Sequence, residues 1–357
     1  MTPLSVRNSP LINIAAFVIV VAGMKVAAPL VVPFLRAVFL AIICAPPLFW
    51  MQQKGIPEGA GLVVLFIIIL GVWGSLVTLI GSSMTDFSKN VPAYQERLQV
   101  ETASWWRWLD ALGITLDRTL LTDTFNPGKI LRMVANTLNG LGGMLTNTFV
   151  IFLTFFFILS EAAGFPCKLR AIQGKHSSAL KKYGEIACGV NRYLGIKTLT
   201  SLVTGGIIAF GLSLQGLDYA IMWGVIAFLL NFIPNIGSII AAIPAVLLAF
   251  VQFGAGAALI SGVLFLLVNI IIGSIVEPRV MGKGVGLSVL VVFLSLAFWG
   301  WVLGPVGMLL SVPLTMAARI ALDGSEETRW LAILLSSNRA IGQMEHAGER
   351  EEEIKEC

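Results

Sequence analysis

The sequence predicts an all-α polytopic membrane protein with about six full transmembrane helices and two broken re-entrant hairpins that form an inverted repeat. Three observations predict it. The chain has 357 residues, 57% of them hydrophobic and 12% charged, whereas soluble domains carry roughly 25% charged residues. Its apolar residues gather into runs near the ~20 residues that a helix needs to cross a ~30 Å hydrocarbon core. The last two runs are too long for one crossing and are interrupted by Pro and Gly. A mean hydropathy of +0.87 excludes an ordinary soluble fold, and a net charge of +4 without a concentrated basic face excludes nucleic acid as a partner. The lipid bilayer is the expected surrounding.

Residues 1–83 read as an N-terminal three-span unit, with apolar runs at about 11–29, 33–50 and 60–82. A small-residue cleavage site near Ala27 and Ala28 is spoiled by Lys25 and Pro29, so the first run is expected to stay as an uncleaved span. Lys25 and Arg36 bracket an expected tight turn between Pro29 and Pro33, where their long stems can snorkel to the headgroups. Residues 84–143 read as an extracytoplasmic interfacial helical segment, with Trp105, Trp106 and Trp108 as a membrane-surface anchor.

A fourth span at about 144–160 ends at Glu161. It leads into a basic cytoplasmic amphipathic segment that runs to residue 195 and holds Lys168, Arg170, Lys175, Lys181, Lys182 and Arg192, with Lys197 continuing the basic stretch just beyond it. The excess of Lys and Arg places that loop inside and, by alternation, both termini in the cytoplasm. Residues 323–357 read as a charged cytoplasmic tail.

Residues 196–322 read as a transport unit made of two span-plus-hairpin repeats. A span at about 196–216 precedes a run over 219–250 that is broken at NFIPNIGS, residues 231–238. A second span at about 256–276 passes through EPRVMGKG, residues 277–284, into a run over 286–320 broken at GWVLGP, residues 300–305. Pro234 and Pro305 cannot donate a backbone hydrogen bond, and the nearby glycines lower helix propensity. Backbone opened within hydrocarbon must be satisfied by protein or water. Two hairpins entering from opposite sides would bring their tips near the midplane, where secondary transporters hold their solutes. The alternative is a pair of short tilted spans in each run.

The candidate solute-binding positions are Asn231, Pro234, Asn235, Gly237, Asn269, Gly304 and Pro305. The amides of Asn231 and Asn235 suit a hydroxylated solute, and equally suit capping of broken helix ends. Asn269, inside a span, suits ligand contact or helix-to-helix hydrogen bonding. Glu277 and Arg279 form a candidate gate or coupling pair at a span end, or a snorkelling Arg with its carboxylate partner. Gly282, Gly284 and Gly286 have the φ freedom of a hinge. The four cysteines lack metal-site spacing, His176 and His346 are isolated, and neither HExxH nor GxSxG occurs. No catalytic residue, metal or cofactor is expected.

The stretch NFIPNIGSIIAAIPAV, followed by EPRVMGKGVGLSVLVVFLSLAFWGWVLGPVGMLLSVPLT, closely resembles the autoinducer-2 exporter family of bacterial permeases, in particular its autoinducer-2 transport branch. The likeness is strongest over residues 190–322, and AAPLVVPFLRA and VPAYQ agree in layout nearer the N-terminus. This resemblance implies a multi-pass protein of the bacterial inner membrane, not an enzyme, that exports the quorum-sensing signal autoinducer-2 without ATP. It also implies a homo-oligomer, with a pentamer expected. Some relatives are Na⁺(Li⁺)/H⁺ antiporters, which leaves Na⁺ and H⁺ as alternative partners.

Overall fold

The structure, a computed structural model, describes residues 10–111, 148–162, 178–234, 236–281, 287–323 and 328–336. The described residues are almost wholly helical. In chain order the helices are α1 (Pro10–Val26), α2 (Ala28–Gln53), α3 (Glu58–Ala111), α4 (Thr148–Ala162), α5 (Ser178–Leu214), α6 (Ala220–Leu230), α7 (Ile236–Phe253) and α8 (Ala255–Val268). A π-helical segment (Asn269–Val276) continues α8 into α9 (Glu277–Met281), and α10 (Val289–Leu303), α11 (Pro305–Leu322) and α12 (Arg329–Leu335) follow.

Among the described residues, six stretches are long and apolar enough to cross a membrane: Ala28–Gln53, Glu58–Tyr94, Cys188–Leu214, Ile236–Phe253, Ala255–Met281 and Pro305–Leu322. Their apolar side chains face outward, with Leu30 and Leu214 each more than 70% exposed. Such exposure is tolerable only where the solvent is itself apolar.

Four elements differ from the sequence expectation. Between the first two apolar runs the backbone stays helical through Pro29 and Pro33, and Ala27 alone joins α1 to α2. The Ala27 N–H bonds the Gly23 carbonyl at 2.9 Å, and the Val31 N–H bonds the Ala27 carbonyl at 3.0 Å. Helical bonding therefore continues on both sides of the joint. Pro29 removes one hydrogen bond and crowds the preceding turn, which is enough for a kink and does not reverse the chain.

The third run does not stop near residue 83 but continues as one 54-residue helix through Pro92 to Ala111. The side chains of Trp105, Trp106 and Trp108, and residues 112–147, lie outside the described residues. The basic segment and the fifth span merge into the single 37-residue α5. Both long runs of the C-terminal half are interrupted, but off-centre. In each pair the second arm, α7 or α11, has 18 residues and the first has 11 or 15. At 1.5 Å per residue the second arms reach about 27 Å, enough to cross, where the sequence reading expected both arms to be short.

The chain divides into two compact units. One comprises residues 1–62, 149–194 and 283–357. Here α10 packs along α11, and Val21, Val302 and Leu303 form a small core with Met24, Val32, Phe298 and Trp299 around them. The Lys25 ammonium sits 3.7 Å above the Trp301 ring, a cation–π contact.

The other unit comprises residues 63–148 and 195–282. Its core gathers Phe87 of α3, Ile208 and Leu212 of α5, Met222 and Trp223 of α6, Ala245 and Leu248 of α7 and Phe265 of α8. Phe87 meets Tyr94, Tyr219 and Trp223 at centroid separations of 5.9, 6.1 and 6.1 Å. Helices α5 and α6 cross at Gly205 and Gly224, where a Cβ on Gly224 would lie 2.6 Å from the Gly205 carbonyl oxygen. Small residues allow this approach, and in a membrane such packing replaces the missing hydrophobic drive.

Candidate functional site

Helix α5 organises the site. Its buried polar residues are Lys197, Thr200, Ser201 and Thr204, spaced i, i+3, i+4 and i+7, and therefore on one face. Leu199, Leu202, Val203 and Ile207 are exposed between them. The polarity is inverted relative to a soluble helix, with the polar stripe inward and the apolar face toward lipid.

That stripe gathers two of the sequence candidates. The Asn231 amide, at the C-cap of α6 where the first long run breaks, donates to Ser201 Oγ at 2.9 Å, and both side chains are buried. One turn earlier on α5, Lys197 Nζ donates to both carboxylate oxygens of Glu277, at 2.8 and 2.9 Å. The two side chains are 6% and 15% exposed. A pair so withdrawn from water is held by its geometry, because either charge left alone there would cost several kcal/mol. Arg279, which the sequence reading placed beside Glu277, is exposed.

The remaining candidates are placed as follows. Pro234 is half-buried, and its carbonyl accepts the Ile236 N–H at 2.7 Å, closing the break. Gly237 starts α7 so close to α6 that a Cβ would lie 1.7 Å from the Leu230 carbonyl oxygen. Asn269 opens the π-helical segment, a kind of local insertion that recurs at functional sites. Gly304 and Pro305 belong to the other unit and join α10 to α11. Gly304 has φ +70°, and Pro305 takes the first helical position, which its fixed φ favours. Asn235, Gly282, Gly284 and Gly286 lie outside the described residues.

Sequence reasoning missed a second polar cluster near the far end of α5. Tyr94 donates to Asp218 Oδ2 at 2.9 Å, Gln252 also donates to that oxygen, and the Asp218 N–H bonds Gln252 Oε1 at 3.1 Å. Beside it Asn90 donates to the Tyr219 hydroxyl at 2.9 Å, and Tyr219 itself has φ +59°, uncommon for a side chain of that size. These bonds tie α3 and the α5–α6 turn to the end of α7. Lys197 and Leu214 are seventeen residues apart on α5, about 26 Å at helical rise, so the two clusters lie near opposite ends of a membrane-length helix. Lys197 could have been noticed as a lone ammonium inside a candidate span. No local signal pairs Tyr94 with Asp218.

A membrane protein with outward apolar faces, an inward polar stripe and interrupted helices has the build of a solute transporter. Comparison with known proteins agrees. Residues 14–326 match the AI-2E family transporter family, and the chain belongs to that family. It is 42% identical over 333 residues to a putative transport protein of Haemophilus influenzae, covering 91% of this chain and 95% of that one. It is 35% identical over 325 residues to the AI-2 transport protein TqsA of Escherichia coli, covering 91% and 94%. Against the putative transport protein YhhT of the same species it is 34% identical over 329 residues, covering 92% and 94%. The chain is a multi-pass membrane transporter and not an enzyme.

Proposed function

We propose that this protein exports a small hydroxylated solute of the autoinducer-2 type across the bacterial inner membrane by alternating access, as a secondary transporter. The observation that carries the proposal is the pairing, one turn apart on α5, of the buried Asn231–Ser201 hydrogen bond and the buried Lys197–Glu277 ion pair. Interrupted helices with polar atoms facing protein are how secondary transporters hold solutes within the bilayer. The Asn231 amide and the Ser201 hydroxyl can exchange their mutual bond for bonds to a hydroxylated solute.

The ion pair closes one end of the unit, and the Asp218 cluster closes the other. Transport is the alternate opening of these two closures. Asn235, Asn269, Pro234 and Gly237 line or shape the solute path, and Gly304 with Pro305 sets the second break. Gly282, Gly284 and Gly286 supply the hinge beyond Glu277. The names of relatives support autoinducer-2 as cargo, and the resemblance supports a homo-oligomer with cytoplasmic termini.

The test is efflux of labelled autoinducer-2 from proteoliposomes, with and without imposed gradients. Asn231→Leu and the double replacement Lys197→Met with Glu277→Met should each lower the flux about tenfold or more at unchanged assembly. Parental flux in both would remove the α5 face from the mechanism. No flux by the parent protein would remove the proposed cargo.

A further inference from the structure

Helices α7 and α8 are antiparallel neighbours joined at Gly254, and between them lies an open groove of about 440 Å³, within the range of small-molecule sites. Its walls are Ile239, Ala242, Ile243, Val246 and Leu247 on α7 and Gly262, Phe265 and Leu266 on α8, with Ser238 and Asn269 as its two polar side chains. Because the helices run antiparallel from Gly254, Ser238 and Asn269 stand at the same level, and Val246 and Gly262 stand toward the other end. Eight residues separate Ser238 from Val246, about 12 Å at helical rise. The groove is polar at one end and apolar along its length, and no charged side chain lines it.

The polar end carries an unmet demand. Asn269 lies within the candidate span Ala255–Met281, half-buried, and its amide makes no hydrogen bond to protein among the described residues. A primary amide offers two donors and an acceptor, and leaving them unbonded in an apolar setting is costly. Gly273 bears no side chain beside it, and a Cβ there would come within 3.1 Å of Asn269 Oδ1. The missing side chain makes room for the amide oxygen. The polar end also lies toward the Lys197–Glu277 end of the unit. The apolar length lies toward the α7–α8 turn.

We infer that this groove binds a single-chain amphiphile with a neutral hydroxylated head, the head on Asn269 and Ser238 and the chain along Ala242, Val246 and Gly262. A purely hydrophilic solute would waste the apolar length. A pure hydrocarbon would leave the amide unbonded. A charged head would find no counter-charge in the lining. This site shares Asn269 with the proposed solute path but not the Asn231–Ser201 contact, and it holds whether or not autoinducer-2 is the cargo.

The test uses the full-length protein in lipid vesicles and a decyl glucoside bearing a photoreactive diazirine at its chain end, below its micellar concentration, with labelled positions read by peptide mass spectrometry. Label should concentrate on Val246, Leu247 and Gly262 and be displaced by unlabelled decyl glucoside, but by neither glucose nor decane. Asn269→Leu should weaken displacement by about tenfold, the effect of ~1.4 kcal/mol, and Gly262→Phe, which fills the far end, should abolish the label there.

Label spread evenly over the exposed faces of α5, α7 and α8 would overturn the inference. So would stronger displacement by a charged-head lysolipid than by decyl glucoside, or label unmoved by both substitutions. If Asn269→Leu fails to assemble, Gly262→Phe decides alone. Efflux of labelled autoinducer-2, measured on the same vesicles, separates failure of this site from failure of the transport reading.

Discussion

Helices α6 and α7 are joined by five residues, Asn231–Asn235, while α10 and α11 turn on Gly304 alone. Both joints press a glycine against a carbonyl oxygen of the preceding arm: a Cβ would lie 1.7 Å from the Leu230 oxygen at Gly237 and 2.0 Å from the Trp299 oxygen at Gly307. Their surroundings differ. The first joint offers its Asn231 side chain to Ser201 on a third helix. The second is stitched arm to arm, with Trp299 Nε1 donating to Thr315 Oγ1 at 3.0 Å and Met308 packed over Gly300. Proline and glycine thus make the same kind of interruption twice, but only the first, in its described part, sends a polar group outward to a partner. The difference teaches that a break is a backbone event, and that chemistry depends on what faces it.

The largest expected effect tests the shared part of this comparison. Gly237→Ala and Gly307→Ala should each cost about 3 kcal/mol or more, as severe overpacking does, seen as lost monodispersity and a lower melting temperature. A mild effect at either joint would show that its arms are free to separate.

Next in size is Lys197→Met, which leaves the Glu277 carboxylate buried and unpaired and should cost roughly 3–5 kcal/mol. Thermal unfolding of the double replacement Lys197→Met with Glu277→Met should recover most of that stability without recovering flux. This dissociates the pair's structural role from its gating role.

Asn231→Leu sharpens the contrast between the joints. It should cost about 1–3 kcal/mol through the unpaired Ser201 and lower solute flux, while Gly304→Ala, strained by roughly 1–3 kcal/mol in a backbone region that essentially only glycine adopts, should lower stability and leave flux per folded molecule intact. Equal flux losses would erase the functional distinction between the joints. The smallest effect is at the far cluster, where Tyr94→Phe removes one hydrogen bond while Gln252 still donates to the same Asp218 oxygen, and should cost about 0.5–1.5 kcal/mol. It should change the maximal rate of efflux more than half-saturation, because it acts on a closure and touches no solute.

Local chemistry made the helical class and the positions of both breaks legible, because Pro234, Gly237, Gly304 and Pro305 act on the backbone of their own segment. Continuity was harder to see. Pro92 stands inside α3 and Pro29 just past the joint at Ala27, since a proline in a helix flanked by strong apolar runs bends it more readily than it ends it. The α5 stripe was present as KTLTS, yet its meaning depended on Glu277, eighty positions away. A carboxylate that looked like a partner for the adjacent Arg279 was claimed by an ammonium on another helix. Asn269 was visible as an amide in a span. That it begins a change of winding was not, because no side-chain pattern marks where i→i+4 bonding gives way to i→i+5.

That change of winding governs Glu277. Eight π-wound residues, Asn269 to Val276, lead up to the carboxylate, and each turn there takes up more chain than an ordinary one. Deleting a single residue, such as Ile271, without a compensating return to α geometry would swing everything beyond it by up to about 100°. Lys197 would then face an apolar side chain. The surplus residue works like the tooth of a ratchet: the charge meets its mate because the rod is cut slightly long, and a one-codon change in length would disarm the latch without altering any of its chemical groups.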